Sequence, residues 1–149
     1  MGDLSTQIAS YSASQPASRF LASPSGASGS PLFRAIDAID VPPVPLGFSN
    51  QTSDYTLVLA DYLPIVKIVV IDSAIPCSVN VPLNSAVAFP IGAEIPVLRQ
   101  GIGEVVFVPQ AGVSVNAADN RMRLRSRFSV ATLIKTATDT WLLVGDVST

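Results

Sequence analysis

Histidine is absent from the 149-residue chain, and cysteine occurs only once. The absence of histidine excludes the Ser-His-Asp triad, histidine acid–base catalysis and histidine-ligated zinc or iron sites. The single cysteine, Cys77, cannot form a disulfide within the chain or build a thiolate cluster, and no basic residue stands near it in sequence. We therefore expect a buried, unreactive thiol at Cys77, and neither a metal site nor a cofactor.

Charge is also scarce. Charged residues make up 13% of the chain and hydrophobic residues 48%, whereas about a quarter of an average soluble chain is charged. The formal net charge of −2 argues against a dedicated nucleic-acid binder. The longest moderately apolar run, residues 73–93, is interrupted by prolines and asparagines, so no membrane insertion is expected. The apolar surplus predicts that another subunit covers part of the surface.

The composition of the chain changes near residue 46. Sixteen of the twenty residues from 12 to 31 are Ser, Ala, Pro or Gly, and such a segment buries too little apolar surface to offset the cost of ordering its backbone. Residues 42–45, with three prolines, form a stiff spacer. We expect an extended anchoring arm over residues 1–45, which gains order on another surface, and a folded domain over residues 46–149.

The folded domain has a β pattern. Short runs rich in β-branched and large apolar residues recur about every ten residues and are separated by turn residues. The predicted strands are residues 56–59, 66–71, 78–81, 94–98, 104–108, 113–115, 121–128, 130–134 and 140–144. No helical periodicity is sustained. The pattern predicts an all-β fold, a small antiparallel β-sandwich or jelly-roll-like domain of about eight or nine strands, with Pro96 on an edge strand or at a bulge.

A segment of the arm, residues 29–42, combines apolar side chains with one cation and one anion. The pattern consists of Gly29, Pro31, Phe33, Arg34, Ile36, Asp40, Val41 and Pro42. It resembles a recurrent segment of phage tail-fibre and appendage proteins. The resemblance implies that the arm docks on capsid, portal, neck or tail proteins of a virion. The residues expected to anchor it are Phe20, Pro31, Leu32, Phe33, Arg34, Ile36, Asp40 and Pro42.

The β region carries a second resemblance, of which residues 131–135 and 140–146 are the most specific part. It is similar to a small domain at the end of many phage and prophage structural proteins. Leu63-Pro64 stands where such domains usually have a Gly-Lys turn, and arginines are more numerous here between Arg121 and Arg127. The resemblance implies a homotrimeric virion protein made in the cytoplasm of the host bacterium.

Four of the nine basic residues lie at alternate positions: Arg121, Arg123, Arg125 and Arg127. On a strand they would share one face and direct Met122, Leu124 and Phe128 to the core. Three interpretations stay open for this arginine stripe. It forms a solvated outer face, it contacts an acidic partner subunit, or it binds an anionic glycan of the host surface.

The remaining motifs do not indicate an enzyme. The carboxylates show no spacing typical of a glycosidase, and the Gly101-Ile102-Gly103 loop, expected as a hairpin, is too short to bind a dinucleotide. Trp141 is followed by apolar residues, which favours a position in the core or a subunit interface. We therefore expect a non-enzymatic structural protein of a bacteriophage particle, either a head-decoration or head-fibre protein or a short tail-fibre component. The alternative is a carbohydrate-binding receptor-recognition module at a fibre tip.

Overall fold

The computed structural model describes residues 19–24, 28–36, 40, 45–63 and 67–149. The chain divides into two compact units, Met1–Val44 and Pro45–Thr149. The boundary between the units follows Val44, one residue before the boundary that the composition predicts after residue 45. The two units are described separately.

In the N-terminal unit, two short strands form an antiparallel pair. They are β1 (Phe20–Ala22) and β2 (Leu32–Arg34), and Leu21 lies opposite Phe33 in their register. The arm was expected to gain order on another surface; within this unit, the facing backbone groups of the two segments also pair with each other. Both strands fall where apolar residues interrupt the Ser/Ala/Pro-rich sequence, because these residues are the ones that gain from pairing.

The C-terminal unit consists of two β-sheets. Its strands are β3 (Gly47–Gln51), β4 (Tyr55–Thr56), β5 (Lys67–Ile71), β6 (Cys77–Val81), β7 (Glu94–Arg99), β8 (Val105–Pro109), β9 (Ser114–Ala117), β10 (Arg123–Leu124), β11 (Val130–Ala137), β12 (Thr140–Gly145) and β13 (Val147–Ser148). One sheet has six strands in the order β3-β5-β7-β11-β12-β9, and the other has five in the order β13-β10-β8-β6-β4. The only helical elements among the described residues of this unit are 3-10 turns at Leu59–Asp61 and Ala118–Asn120. The all-β prediction is confirmed.

The first half of this unit is a parallel coil. Successive strands alternate between the sheets, so that β3, β5 and β7 run parallel in one sheet and β4, β6 and β8 run parallel in the other. The second half, from β10 to β13, is mainly antiparallel. The described pairings of the unit comprise five parallel and four antiparallel ones. Parallel neighbours need a crossover, and here each crossover is a strand of the opposite sheet, which strand patterns alone do not reveal.

Two glycines allow the turns of this coil to stack. A Cβ at Gly101 would lie 2.1 Å from the Ser73 carbonyl oxygen, and one at Gly103 would lie 2.0 Å from that of Ile75. The Gly103 N–H donates to Ser73 O at 2.8 Å. The predicted hairpin at residues 101–103 is therefore wrong. The segment is a corner that joins β7 in one sheet to β8 in the other, and it lies against the preceding corner.

The core lies between the two sheets and contains residues from both. Trp141 is 1% exposed and Phe89 meets it edge to face at 5.4 Å, so the predicted core position of Trp141 is confirmed. Cys77 is free and buried. Each fully buried large apolar side chain contributes about 1.5–3 kcal/mol relative to an exposed one.

Pro96 does not lie on an edge strand, because β7 is central in the six-stranded sheet, between β5 and β11. The described pairing of β7 with β5 begins at Val97. The missing N–H of Pro96 therefore leaves no hydrogen bond to β5 unmade. The recorded shift of register lies in β11, between Lys135 and Ala137, and not at Pro96.

Candidate functional site

The arginine segment is not a continuous strand. Only Arg123 and Leu124 form β10. Asp119 and Asn120 before it and Phe128 after it have positive φ angles of 52°, 55° and 65°, and such a conformation ends an extended run. The prediction of a strand over residues 121–128 with four arginines on one face is therefore wrong.

Three of these arginines have carboxylate partners within the domain. Arg121 pairs with Asp119 at 3.1 Å and Arg123 with Glu104 at 2.6 Å. The third pair joins Arg125 Nε to Asp146 Oδ1 at 2.5 Å. The pairs are substantially exposed, and exposed ion pairs of this kind contribute little to the stability of a fold. Because Arg121, Arg123 and Arg125 are already neutralised in this way, they do not form a row of free positive charges that an acidic partner could bind.

Arg127 differs from the other three arginines. Its Nε donates to Gln100 O at 3.0 Å, and its guanidinium carbon lies 4.9 Å from the centroid of the Phe128 ring. Within the described ranges, no carboxylate is within ion-pair distance of Arg127. Phe128 is 67% exposed, so its predicted place in the core is wrong, whereas Leu124 is buried and Met122 packs against the core.

Arg127 and Phe128 adjoin a corner of the coil. Arg99 links Arg127 and Phe128 to this corner. Its Nη2 donates to Ile102 O at 2.7 Å, and its backbone carbonyl accepts the Phe128 N–H at 2.6 Å. Ile102 is as exposed as Phe128. We call these three residues, Ile102, Arg127 and Phe128, the corner patch. It offers apolar surface and one cation, which suits a protein partner or a sugar ring with an anionic substituent.

The Asp146 carboxylate holds the turn that follows β10. Its Oδ2 accepts from Ser129 Oγ at 2.6 Å, while Arg125 occupies Oδ1. The Ser129 hydrogen bond, followed by that of Arg125, lowers the pKa of Asp146. Both hydrogen bonds fix the Asp146 side chain against this turn.

The outward-facing side of the six-stranded sheet is apolar. Ile134 lies opposite Leu142 and Val130 lies opposite Leu98 in the register of β11 with its neighbours. This surface, called the outer face below, includes Phe48, Ile68, Pro96, Leu98, Val130, Thr132, Ile134, Leu142, Val144 and the buried Val70, and its edge strands add the polar residues Asn50, Ser114 and Asn116. Glu94 is the charged residue among the described strand positions that point the same way. Such a surface is typical of a region that a partner covers.

Inside the core lies a lysine that the sequence analysis did not single out. Lys135 is 2% exposed, and its Nζ donates to Asn84 Oδ1 at 2.5 Å and to Phe89 O at 2.8 Å. Nζ also lies 5.6 Å from the centroid of the Trp141 ring. The signal was present in the sequence, because Lys135 continues the inward alternation of Ala131 and Leu133 along β11.

In the N-terminal unit, the structure brings together two of the predicted anchoring residues. Arg34 and Asp40 form a two-pronged ion pair, with Nη2 2.6 Å from Oδ1, and Arg34 Nε also donates to Ser23 O at 2.7 Å. The pair therefore organises the unit itself. Of the other predicted anchors, Phe33 is half-buried, Pro42 lies outside the described residues, and the following are exposed: Phe20, Pro31, Leu32 and Ile36.

The described residues contain no group of three or more acidic or cysteine side chains placed to hold a metal ion. Over the same residues, no helix has the length and apolar composition needed to cross a bilayer. Comparison of the chain with protein-family models, with curated proteins and with solved structures gives no match.

Proposed function

We propose that the chain is a non-enzymatic structural protein of a bacteriophage particle. It acts as a homotrimeric head-decoration, head-fibre or short tail-fibre component, with its N-terminal unit attached to the virion. The observation that supports this proposal most directly is the apolar outer face of the six-stranded sheet. The phage setting and the threefold symmetry come from the resemblances in the sequence.

The outer face supports self-association because exposing it is unfavourable. Phe48, Leu142 and Val144 are each more than a third exposed, and burying apolar surface gains roughly 25 cal/mol per Å². In a closed homo-oligomer, every copy covers the same patch of its neighbour. Because only 13% of the residues are charged, few charged side chains are available to keep a protein with this exposed apolar face in solution.

The apolar side chains of the N-terminal unit support its role as the anchor. Phe20, Leu21, Leu32 and Ile36 are each at least half exposed in this unit. Docking on capsid, portal, neck or tail proteins would bury them and offset the ordering of a Ser/Ala/Pro-rich segment, which costs about 1–2 kcal/mol per residue.

Deletion of residues 1–45 tests the proposal. The truncated protein should fold, because the core of the C-terminal unit consists of residues from 57 onward, but it should no longer copurify with phage particles. Full-length protein with Phe33→Ala should be incorporated less than the wild type, and Asp54→Ala in the other unit serves as the matched control. Normal incorporation of the truncated protein would contradict an N-terminal anchor.

The corner patch favours a second candidate, a carbohydrate-binding module that recognises a host receptor. An exposed phenylalanine with a positive φ angle beside an arginine is an arrangement found at ligand sites. A glycan array with the isolated trimer separates the candidates. Saturable binding that Phe128→Ala abolishes supports receptor recognition, and the absence of any binding supports a decoration protein.

A further inference from the structure

Lys135 and Asn84 bring an amine and a carboxamide together inside the domain. Nζ contacts Asn84 Oδ1 at 2.5 Å and the Phe89 carbonyl oxygen at 2.8 Å, and the Trp141 ring centroid lies 5.6 Å from Nζ. Asn84 belongs to the long connection between β6 and β7, and Lys135 to β11. The carboxamide carbon, Cγ, is one covalent bond from the oxygen that Nζ contacts.

Lys135 Nζ is buried among polar acceptors, without an acidic partner among the described residues. In the described part of the chain, no carboxylate lies within ion-pair distance of Nζ, and a buried charge without an opposite partner is strongly unfavourable. Converting the amine to a neutral amide would remove the charge altogether.

We propose that Lys135 and Asn84 form an intramolecular isopeptide bond. Nζ, as the free amine, attacks Cγ of Asn84. The Nζ–Cγ bond forms and the Cγ–Nδ2 bond breaks, while a proton passes from Nζ to Nδ2, which leaves as ammonia. The reaction consumes no oxidant, reductant or second substrate. Fixing the buried Lys135 and the half-buried Asn84 within one folded domain supplies the proximity that an amine needs to attack an unactivated amide.

Asp139 is a positioning residue for this reaction. Its Oδ1 accepts the backbone N–H of Asn84 at 2.5 Å, and its carbonyl accepts the Ser114 N–H at 2.8 Å. Asp139 itself lies in the turn between β11 and β12 with a φ angle of 53°. The carboxylate thus fixes the backbone of Asn84 to the turn that follows Lys135, which keeps the carboxamide against Nζ.

The bond would join parts of the chain that are 51 positions apart. It would tie the connection that closes one end of the core to the longest strand of the antiparallel half. The inference does not depend on the proposed function, because it rests on the interior of the domain alone.

Intact-mass measurement of the purified full-length chain tests the inference. The wild type should weigh less than its sequence by the mass of one ammonia molecule. Trypsin should fail to cleave after the modified Lys135 and should release one branched species, in which residues 68–99 are joined to residues 128–149. Lys67→Arg, which alters the other lysine of the chain, should keep the deficit, whereas Lys135→Arg and Asn84→Ala should lose it.

Two outcomes would overturn the inference. One is a wild-type mass equal to that of the sequence, with normal tryptic cleavage after Lys135. The other is a mass deficit that persists in Lys135→Arg, because ammonia is then lost from a different residue. The assignment of Asp139 is tested by the rate of ammonia loss: Asp139→Ala should slow it, and Asp139→Asn, whose amide oxygen can still accept the Asn84 N–H, should restore it. Loss of the reaction in a folded Asp139→Asn protein would refute a purely positioning role.

Discussion

Asp146 receives hydrogen bonds from two residues of one turn, Arg125 on Oδ1 and Ser129 on Oδ2, at 2.5 Å and 2.6 Å. Both donors favour the ionised carboxylate, which is why the pKa of Asp146 lies below its usual value of 3.8. A carboxyl group with a lowered pKa in the folded state stabilises the fold above the pKa of the unfolded state. That contribution is lost as the pH falls through the folded-state value.

The first prediction follows from the lowered pKa of Asp146. Asp146→Asn should lower the melting temperature at neutral pH, and the difference from the wild type should shrink as the pH falls below about 3.8 and the carboxylate is protonated. Thermal unfolding followed by circular dichroism over an acid pH series measures it. Asp119→Asn, which affects a single exposed ion pair, is the control and should shift the melting temperature less. A pH-independent difference for Asp146→Asn would contradict the electrostatic explanation.

The second prediction concerns the buried carboxylate of Asp61, which is 1% exposed. The Tyr55 hydroxyl donates to it at 2.9 Å, and the Val58 N–H donates to the same oxygen at 3.0 Å. Tyr55→Phe removes one donor and should lower the free energy of unfolding by about 1–3 kcal/mol, because the buried Asp61 carboxylate then loses one of its hydrogen-bond donors. Tyr62→Phe is the matched control. Equal urea midpoints for Tyr55→Phe and the wild type would refute the importance of this bond.

The same contact predicts an alkaline effect. Burial is the largest cause of the raised pKa of Tyr55, and the neighbouring Asp61 adds to it, while a Ser49 hydrogen bond opposes it. The neutral phenol therefore stabilises the fold below the ordinary pKa of 10.0, and this stabilisation is lost as the pH rises through the folded-state value. Spectrophotometric titration at alkaline pH should show one late-titrating tyrosine that is missing from Tyr55→Phe.

The third prediction tests the stacked corners of the coil. Gly103→Ala places a methyl group 2.0 Å from the Ile75 carbonyl oxygen, and the backbones of two corners must then separate. We expect a loss of at least about 1–3 kcal/mol in the free energy of unfolding, the usual cost of overpacking. The neighbouring Ile102→Ala, at an exposed side chain, should cost far less. A stable Gly103→Ala protein would mean that the corners are further apart than described.

The fourth prediction concerns the outer face. Leu142→Glu with Val144→Glu should leave the β spectrum unchanged, because both side chains point away from the core. By light scattering, the wild type should have about three times the chain mass of 15.6 kDa, and the double variant should be smaller. Ile91→Glu, at an equally apolar but exposed turn position away from the sheet, is the control and should keep the wild-type mass. A wild-type monomer at micromolar concentration would contradict the self-association.

The sequence predicted the strand positions of the domain better than their partners. The apolar residues after Trp141 favoured a core or interface position for it, and Trp141 does lie in the core. The direction of pairing depends on which strand comes next in space. Nothing in the local pattern around β5 or β6 indicates that their neighbours run parallel.

The arginine segment shows the other limit of sequence reasoning. The alternation from Arg121 to Phe128 is as regular as that of any strand in the chain, yet only Arg123 and Leu124 pair as a strand. A turn in which the Ser129 N–H donates to Ser126 O follows them. The carboxylates that neutralise the arginines, such as Glu104 and Asp146, come from distant positions. Only the tertiary structure brings them together.

The parallel coil has a consequence for how the domain can change in size. Each turn of the coil hydrogen-bonds to the turn before and the turn after it, and the last turn, β7 with β8, also pairs with β11 and β10 of the antiparallel half. Gly101 and Gly103 maintain the spacing at one junction between turns. Insertion or loss of one complete turn would therefore leave every remaining junction and the antiparallel half intact. The domain can lengthen or shorten in whole turns while it keeps the same outer strands, whereas a change of any other length would break the register of both sheets at once.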